Sequence, residues 1–127
     1  MTAAGLLAIG IGAALGAWTR WGLAAALNAY FPMVPLGTLV ANIAGGFGIG
    51  IAMEIFSRQV GLSEELRLFV ITGFLGALTT FSTFSAEVVT LLSRAHYGWA
   101  TLLAGIHLGG SLLATMLGIA CVRWAAG

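Results

Sequence analysis

The run Gly73-Phe74-Leu75-Gly76-Ala77-Leu78-Thr79-Thr80-Phe81-Ser82-Thr83-Phe84-Ser85 places two glycines and five hydroxyl residues inside an otherwise apolar stretch from about Leu66 to Leu92. That stretch is long enough to cross a membrane, since a helix rising 1.5 Å per residue needs about 20 apolar residues to span a ~30 Å hydrocarbon core. Glycine and hydroxyl side chains, however, make an uninterrupted helix in hydrocarbon a poor solution. A break is therefore predicted near Gly76 to Thr79. Unwound backbone at membrane depth is tolerated only inside protein or along a cavity, where free carbonyls can coordinate a cation and a half-helix N-terminus can face an anion. The break points to an ion site.

Working outward, three more stretches of spanning length run from about Ala3 to Leu27, Pro35 to Phe56 and Trp99 to Val122. The predicted spans are thus about 3–27, 35–56, 66–92 and 99–122. Ser63-Glu64-Glu65 suits a helix start, because a hydroxyl caps free N–H groups and acidic side chains favour the positive end of the dipole. His96, Tyr97 and Trp99 at one end of the fourth span, with Arg123 and Trp124 at the other, fit interfacial belts. The composition agrees: 60% of the 127 residues are hydrophobic, 7% are charged and the mean hydropathy is +1.05, against roughly 25% charged in a soluble domain. The chain reads as an all-α membrane protein, one four-span unit over residues 1–127, multi-pass in the cell membrane. Its N-terminus lacks the basic start of a signal peptide, the first charge being Arg20, and reads as unprocessed.

Several classes are excluded. A net charge of +1 without a basic run gives no case for nucleic acid. The lone Cys121 rules out an internal disulfide and any multi-cysteine metal site. Gly46-Phe47-Gly48-Ile49-Gly50 lies within a span and lacks the strand and acidic partner of a nucleotide fingerprint. No nucleophile with a base, carboxylate pair or phosphate loop can be assembled, so no enzyme is expected. Outside the spans, Arg58, Arg67 and Arg123 face Arg94 on the opposite side, with Arg20 near that same opposite end. This bias is small, and orientation follows such differences. A chain inserting both ways could form an antiparallel pair.

The remaining signals are polar or small residues at membrane depth. Gly12/Gly16, Gly46/Gly50 and Gly105/Gly109, four apart, suit close helix approach. Arg20 lies some seven residues before the end of the first span, roughly 10 Å by the helical rise, as an anchor or an attractor of anions. Glu87 is read as a buried hydrogen-bonding group or a proton carrier, and Asn42 as an interhelical hydrogen bonder or a donor to a passing ion. Phe81 and Phe84 share a helix face, as core filler or as ring edges lining an anion path. Thr80, Thr83 and Glu87 form a neighbouring polar stripe. His107, Ser111 and Thr115 make a polar line about 12 Å long on the fourth span, a packing seam or a track beside a pore. His107 has no second ligand at metal spacing.

Taken together, Gly12-Ala13-Ala14-Leu15-Gly16-Ala17-Trp18-Thr19-Arg20, then Gly37-Thr38-Leu39-Val40-Ala41-Asn42 with Gly45, Phe47 and Gly50, then the run at Gly73–Ser85, resemble the signatures of the Fluc or CrcB-type fluoride channels, in order and across essentially the whole chain. The resemblance implies an antiparallel, dual-topology homodimer with two fluoride pores and a central sodium ion, acting without nucleotide. By position, Gly76 and Thr79 would offer backbone carbonyls to sodium and Phe81 and Phe84 ring edges to the anion. Asn42 would be a donor close to fluoride, Arg20 positive charge near the vestibules, and His107, Ser111 and Thr115 the fourth-helix polar track. The hydroxyls of Thr80, Ser82 and Thr83 would add donors. Ala77 replaces a glycine common in the family's third-span run. An inside-negative potential drives anions outward by about 2.3 kcal/mol per 100 mV, so a passive channel suffices to expel fluoride. The alternative is a small four-span cation or drug antiporter; that class depends on a first-span carboxylate, whereas here the first span carries Arg20 and no acid. A third reading makes the chain a non-conducting packing subunit of a larger membrane complex.

Overall fold

Thr2 starts the first helix, its hydroxyl accepting the Gly5 N–H at 3.0 Å and so satisfying one of the four N–H groups that every helix start leaves free. In the computed structural model, which describes residues 1–127, helix α1 covers Ala3–Leu27 and tightens into a 3-10 turn, Asn28–Tyr30. Helix α2, Leu36–Arg58, begins after Pro35, and its early Gly37 and Thr38 N–H groups donate to Asn28 Oδ1 at 2.7 and 3.2 Å. Helix α3, residues 64–78, is an α turn Glu64–Arg67, a wider π-wound stretch Leu68–Leu75 and an α turn Gly76–Leu78. As the sequence suggests, Ser63 caps it, accepting the Leu66 N–H at 3.1 Å. Helix α4 covers Phe81–Ser93 and α5 Tyr97–Ala125. Between α3 and α4, Thr79 (φ -84°, ψ 153°) and Thr80 (φ -151°, ψ 117°) are extended.

Four helical stretches are long and apolar enough to cross a membrane: Ala3–Tyr30, Leu36–Arg58, Glu64–Ser93 and Tyr97–Ala125. Each overlaps a predicted span and runs a few residues past it at one or both ends. Polar end residues extend the helices because backbone groups bond within the helix whether its surroundings are lipid or headgroup.

Glycine decides how the helices meet. A Cβ on Gly12 would run into the Phe69 carbonyl and one on Gly16 into the Phe74 carbonyl, so α1 lies directly on the α3 backbone. Gly50 meets the Thr115 carbonyl and Gly118 the Phe47 carbonyl in the same way, joining α2 to α5. Two of the three predicted glycine pairs therefore lie in seams. The third does not: nothing stands within 4 Å of a Cβ built on Gly105 or Gly109, which face outward from α5. Spacing alone selects a helix face without saying which neighbour covers it.

The interior is small. One cluster joins Val34, Leu91, Ala100 and Leu103, the other Ala41, Ala52, Leu75 and Leu78. Large apolar side chains such as Trp18, Leu113 and Met116 are more than half exposed, which is costly in water and unremarkable in lipid.

Candidate ion pathway at the extended threonines

Asn42 is buried in the second turn of α2, and its amide grips the non-helical segment from the side. Oδ1 accepts the Thr80 N–H at 2.7 Å while Nδ2 donates to the Thr80 carbonyl at 3.0 Å. A backbone N–H can only donate and a carbonyl only accept, so this pair fixes which way round the amide lies. Its other Nδ2 hydrogen faces His107 Nδ1, 3.0 Å away. That nitrogen must then be the bare acceptor, which puts the proton of a neutral imidazole on Nε2. Nε2 is buried and has no partner. The ring stacks on Phe84 with centroids 4.6 Å apart, and Phe84 meets Phe81 edge to face at 5.4 Å and 76°. One chain of contacts thus runs from Thr80 through Asn42 and His107 to the two phenylalanines.

These groups border a cleft of about 340 Å³ between α2, α3, α4 and α5. Among the residues singled out by sequence it gathers Asn42, Gly76, Thr79, Thr80, Phe81, Phe84, His107, Ser111 and Thr115, interleaved with apolar Ile49, Leu75 and Leu108. Thr115 shares its hydroxyl hydrogen between the Gly46 and Ser111 carbonyls, each at 3.0 Å. Phe81 is 77% exposed on the single chain. The structure leaves Ser82, Thr83, Arg20 and Glu87 outside the cleft lining.

The predicted polar stripe of Thr80, Thr83 and Glu87 is changed by the extended segment. Thr80 precedes the helix and caps it, its hydroxyl accepting the Thr83 N–H at 3.1 Å and lying 3.3 Å from Ser82 Oγ. Only Thr83 and Glu87 share a face of α4. Glu87 turns to α2, where Oε2 accepts from Thr38 Oγ1 at 2.8 Å and Oε1 is buried without a partner. Thr38, 2% exposed, carries no polar role in the sequence reading beyond its place in the Gly37–Asn42 run, although its spacing of four from Asn42 puts both on one helix face. Arg20, half-buried on α1, donates from Nε to the Ala77 carbonyl at 3.1 Å.

No group of three or more His, Cys, Asp or Glu side chains could hold a metal. Backbone oxygens are the available hard donors. At the end of α3 the helical acceptor pattern fails: the Leu75 carbonyl still accepts the Thr79 N–H at 3.1 Å, but the Thr80 N–H that would serve Gly76 goes to Asn42 and the Thr83 N–H that would serve Thr79 goes to Thr80 Oγ1, so the Gly76 and Thr79 carbonyls lose their i+4 partners.

Residues 7–119 match the family model described as CrcB-like protein, Camphor Resistance (CrcB). Three relatives carry the name fluoride-specific ion channel FluC. That of Nitrosospira multiformis is 59% identical over 95% of this chain and 94% of its own length. Those of Pseudomonas paraeruginosa and Acinetobacter baumannii are 53% and 56% identical, each over 96% of both chains. With four membrane-capable helices and likeness of this extent, the chain is a multi-pass membrane protein belonging to the CrcB-like family.

Proposed function

We propose that this chain is a fluoride-specific ion channel that lets cytoplasmic fluoride leave the cell passively. The observation that carries the reading to fluoride is the identity of 53–59% with proteins so named. The site's chemistry supports it. Fluoride is small and tightly hydrated, so a pore must replace its water with donors and positive dipole edges in a narrow passage. The cleft pairs Thr, Ser and imidazole groups with the rings of Phe81 and Phe84, and its lining contains no Arg that would hold the anion too tightly. The antiporter alternative has no acid on α1 to stand on.

The working unit in this reading is an antiparallel homodimer of one four-span domain per chain. Phe81 favours it: a ring 77% exposed on the single chain can border an ion path only if a second chain, rather than lipid, covers it. The third span works as a broken helix, with the Thr79-Thr80 segment at mid-bilayer. Sodium suits the break, since the Gly76 and Thr79 carbonyls are hard oxygen donors freed from helical bonding, and two chains would contribute four. Bound there, the ion would supply positive charge beside the cleft. Asn42 holds the break and fixes the His107 proton on Nε2, which leaves the imidazole N–H, with the Ser111 hydroxyl on the same helix, to face the permeating anion, while Thr115 lines the track with its hydroxyl hydrogen held by the Gly46 and Ser111 carbonyls. Arg20 lies outside the cleft, its Nε held on the Ala77 carbonyl beside the break, and Thr80, Ser82 and Thr83 hydroxyls lie along the approach.

Purified protein in liposomes under a potassium-valinomycin clamp should release fluoride in preference to chloride. Phe81→Ile and Phe84→Ile keep the bulk and remove the ring; each should cut flux sharply while the assembled protein persists in gel filtration. Undiminished flux in both would return the rings to packing, and proton-coupled cation uptake would revive the antiporter.

A further inference from the structure

The guanidinium of Arg20 makes one hydrogen bond in the structure, and its direction is informative: Nε donates to the Ala77 carbonyl, one residue before the end of α3. That carbonyl belongs to the last turn, where no helical N–H follows it, because the chain leaves the helix at Thr79. A carbonyl stranded at membrane depth needs a donor, and the end of a helix attracts a cation. Arg20 meets both needs from a neighbouring span, 57 residues away in sequence. Gly16, one turn earlier on α1, supplies the approach, since its missing Cβ lets α1 sit against the Phe74 carbonyl.

Asn42 holds the other side. It takes the Thr80 N–H and carbonyl from α2, while Arg20 takes Ala77 from α1, so the extended segment is gripped from two helices. We infer that Arg20 is a positioning residue for this segment: the Nε–H bond to Ala77, rather than long-range attraction of anions, is its main contribution to conduction. This rests on the channel reading but makes a separate structural claim.

Glutamine separates the two roles, because its Nε2 hangs from Cδ as the Arg Nε does, keeping the donor and discarding the charge. Methionine keeps comparable length and discards both. Fluoride efflux from Arg20→Gln should stay within about threefold of the parent protein, and that from Arg20→Met should fall roughly tenfold or more, the scale of losing a donor to a buried carbonyl. Hydrogen exchange at the Thr79 and Thr80 amides should quicken in Arg20→Met and remain near the parent rate in Arg20→Gln. Equal loss of flux in both variants would overturn the inference in favour of charge, as would unchanged exchange in Arg20→Met. If Arg20→Met does not fold, Arg20→Gln alone decides, by retained or lost flux and exchange. The exchange rates read the break whether or not the parent protein conducts fluoride, so failure of the channel reading remains distinguishable.

Discussion

Ala95 lies at φ 60°, the only non-glycine residue in the left-handed region. It closes α4: its N–H reaches the Leu92 carbonyl at 3.0 Å and the His96 N–H reaches Leu91 at 2.9 Å, the paired bonds of a Schellman ending, where glycine is usual. Ala95→Gly should therefore raise stability by about 1 kcal/mol, seen as a higher melting temperature in detergent with flux unchanged; a lower one would contradict the strain. Asn42 is the opposite case. Its side chain serves the Thr80 N–H, the Thr80 carbonyl and His107 Nδ1 at once, so Asn42→Ala should cost about 3 kcal/mol through stranded polar groups. A melting temperature within a degree of the parent would refute that grip. In sequence, Asn42 is legible as a mid-span donor, but its main partner is not, because Thr80 lies 38 residues on and only the packing of α2 against the extended Thr79-Thr80 segment joins them.

At the scale of elements, the four spans are legible because hydrocarbon imposes both a length and a composition, and Ser63, Glu64 and Glu65 mark the third start by capping chemistry. The exact unwound residues are less so. The sequence points to Gly76 through Thr79, yet Gly76 is helical and the extended pair is Thr79-Thr80. Two adjacent β-branched residues favour extended backbone, and the Thr80 hydroxyl then starts α4; glycine merely tolerates a break. The glycine seams divide in the same way. Gly50 touches the Thr115 carbonyl whereas Gly105 has open space, a distinction that spacing of four cannot make. Gly50→Ala should force α2 from α5 and cost about 1–3 kcal/mol, with Gly105→Ala near neutral in the same thermal scan. Equal effects from the two would dissolve the seam.

On the whole molecule, three charged residues at one end are tied together: Glu54 Oε1 accepts from Arg58 at 2.8 Å and Arg123 at 3.1 Å, joining the ends of α2 and α5. Arg67 lies at the start of α3, on the same side, whereas Arg94 stands at the other end, after α4. Orientation follows the difference in basic residues between the two sides and takes little account of acids. Three arginines against Arg94, with Arg20 lying toward its side, make a small difference, and the proposed antiparallel reading requires that a nascent chain enter either way, since its two copies must cross in opposite senses. The test uses Cys121→Ser, which removes the sole cysteine, with Gly127→Cys as the only reporter. A membrane-impermeant maleimide added to intact cells should label about half of the chains, with the rest labelled only after lysis, as a near-balanced arginine count implies. Labelling of all chains, or of none, before lysis would mean a single orientation, and the antiparallel assembly would have to be given up even if the protein still conducted fluoride.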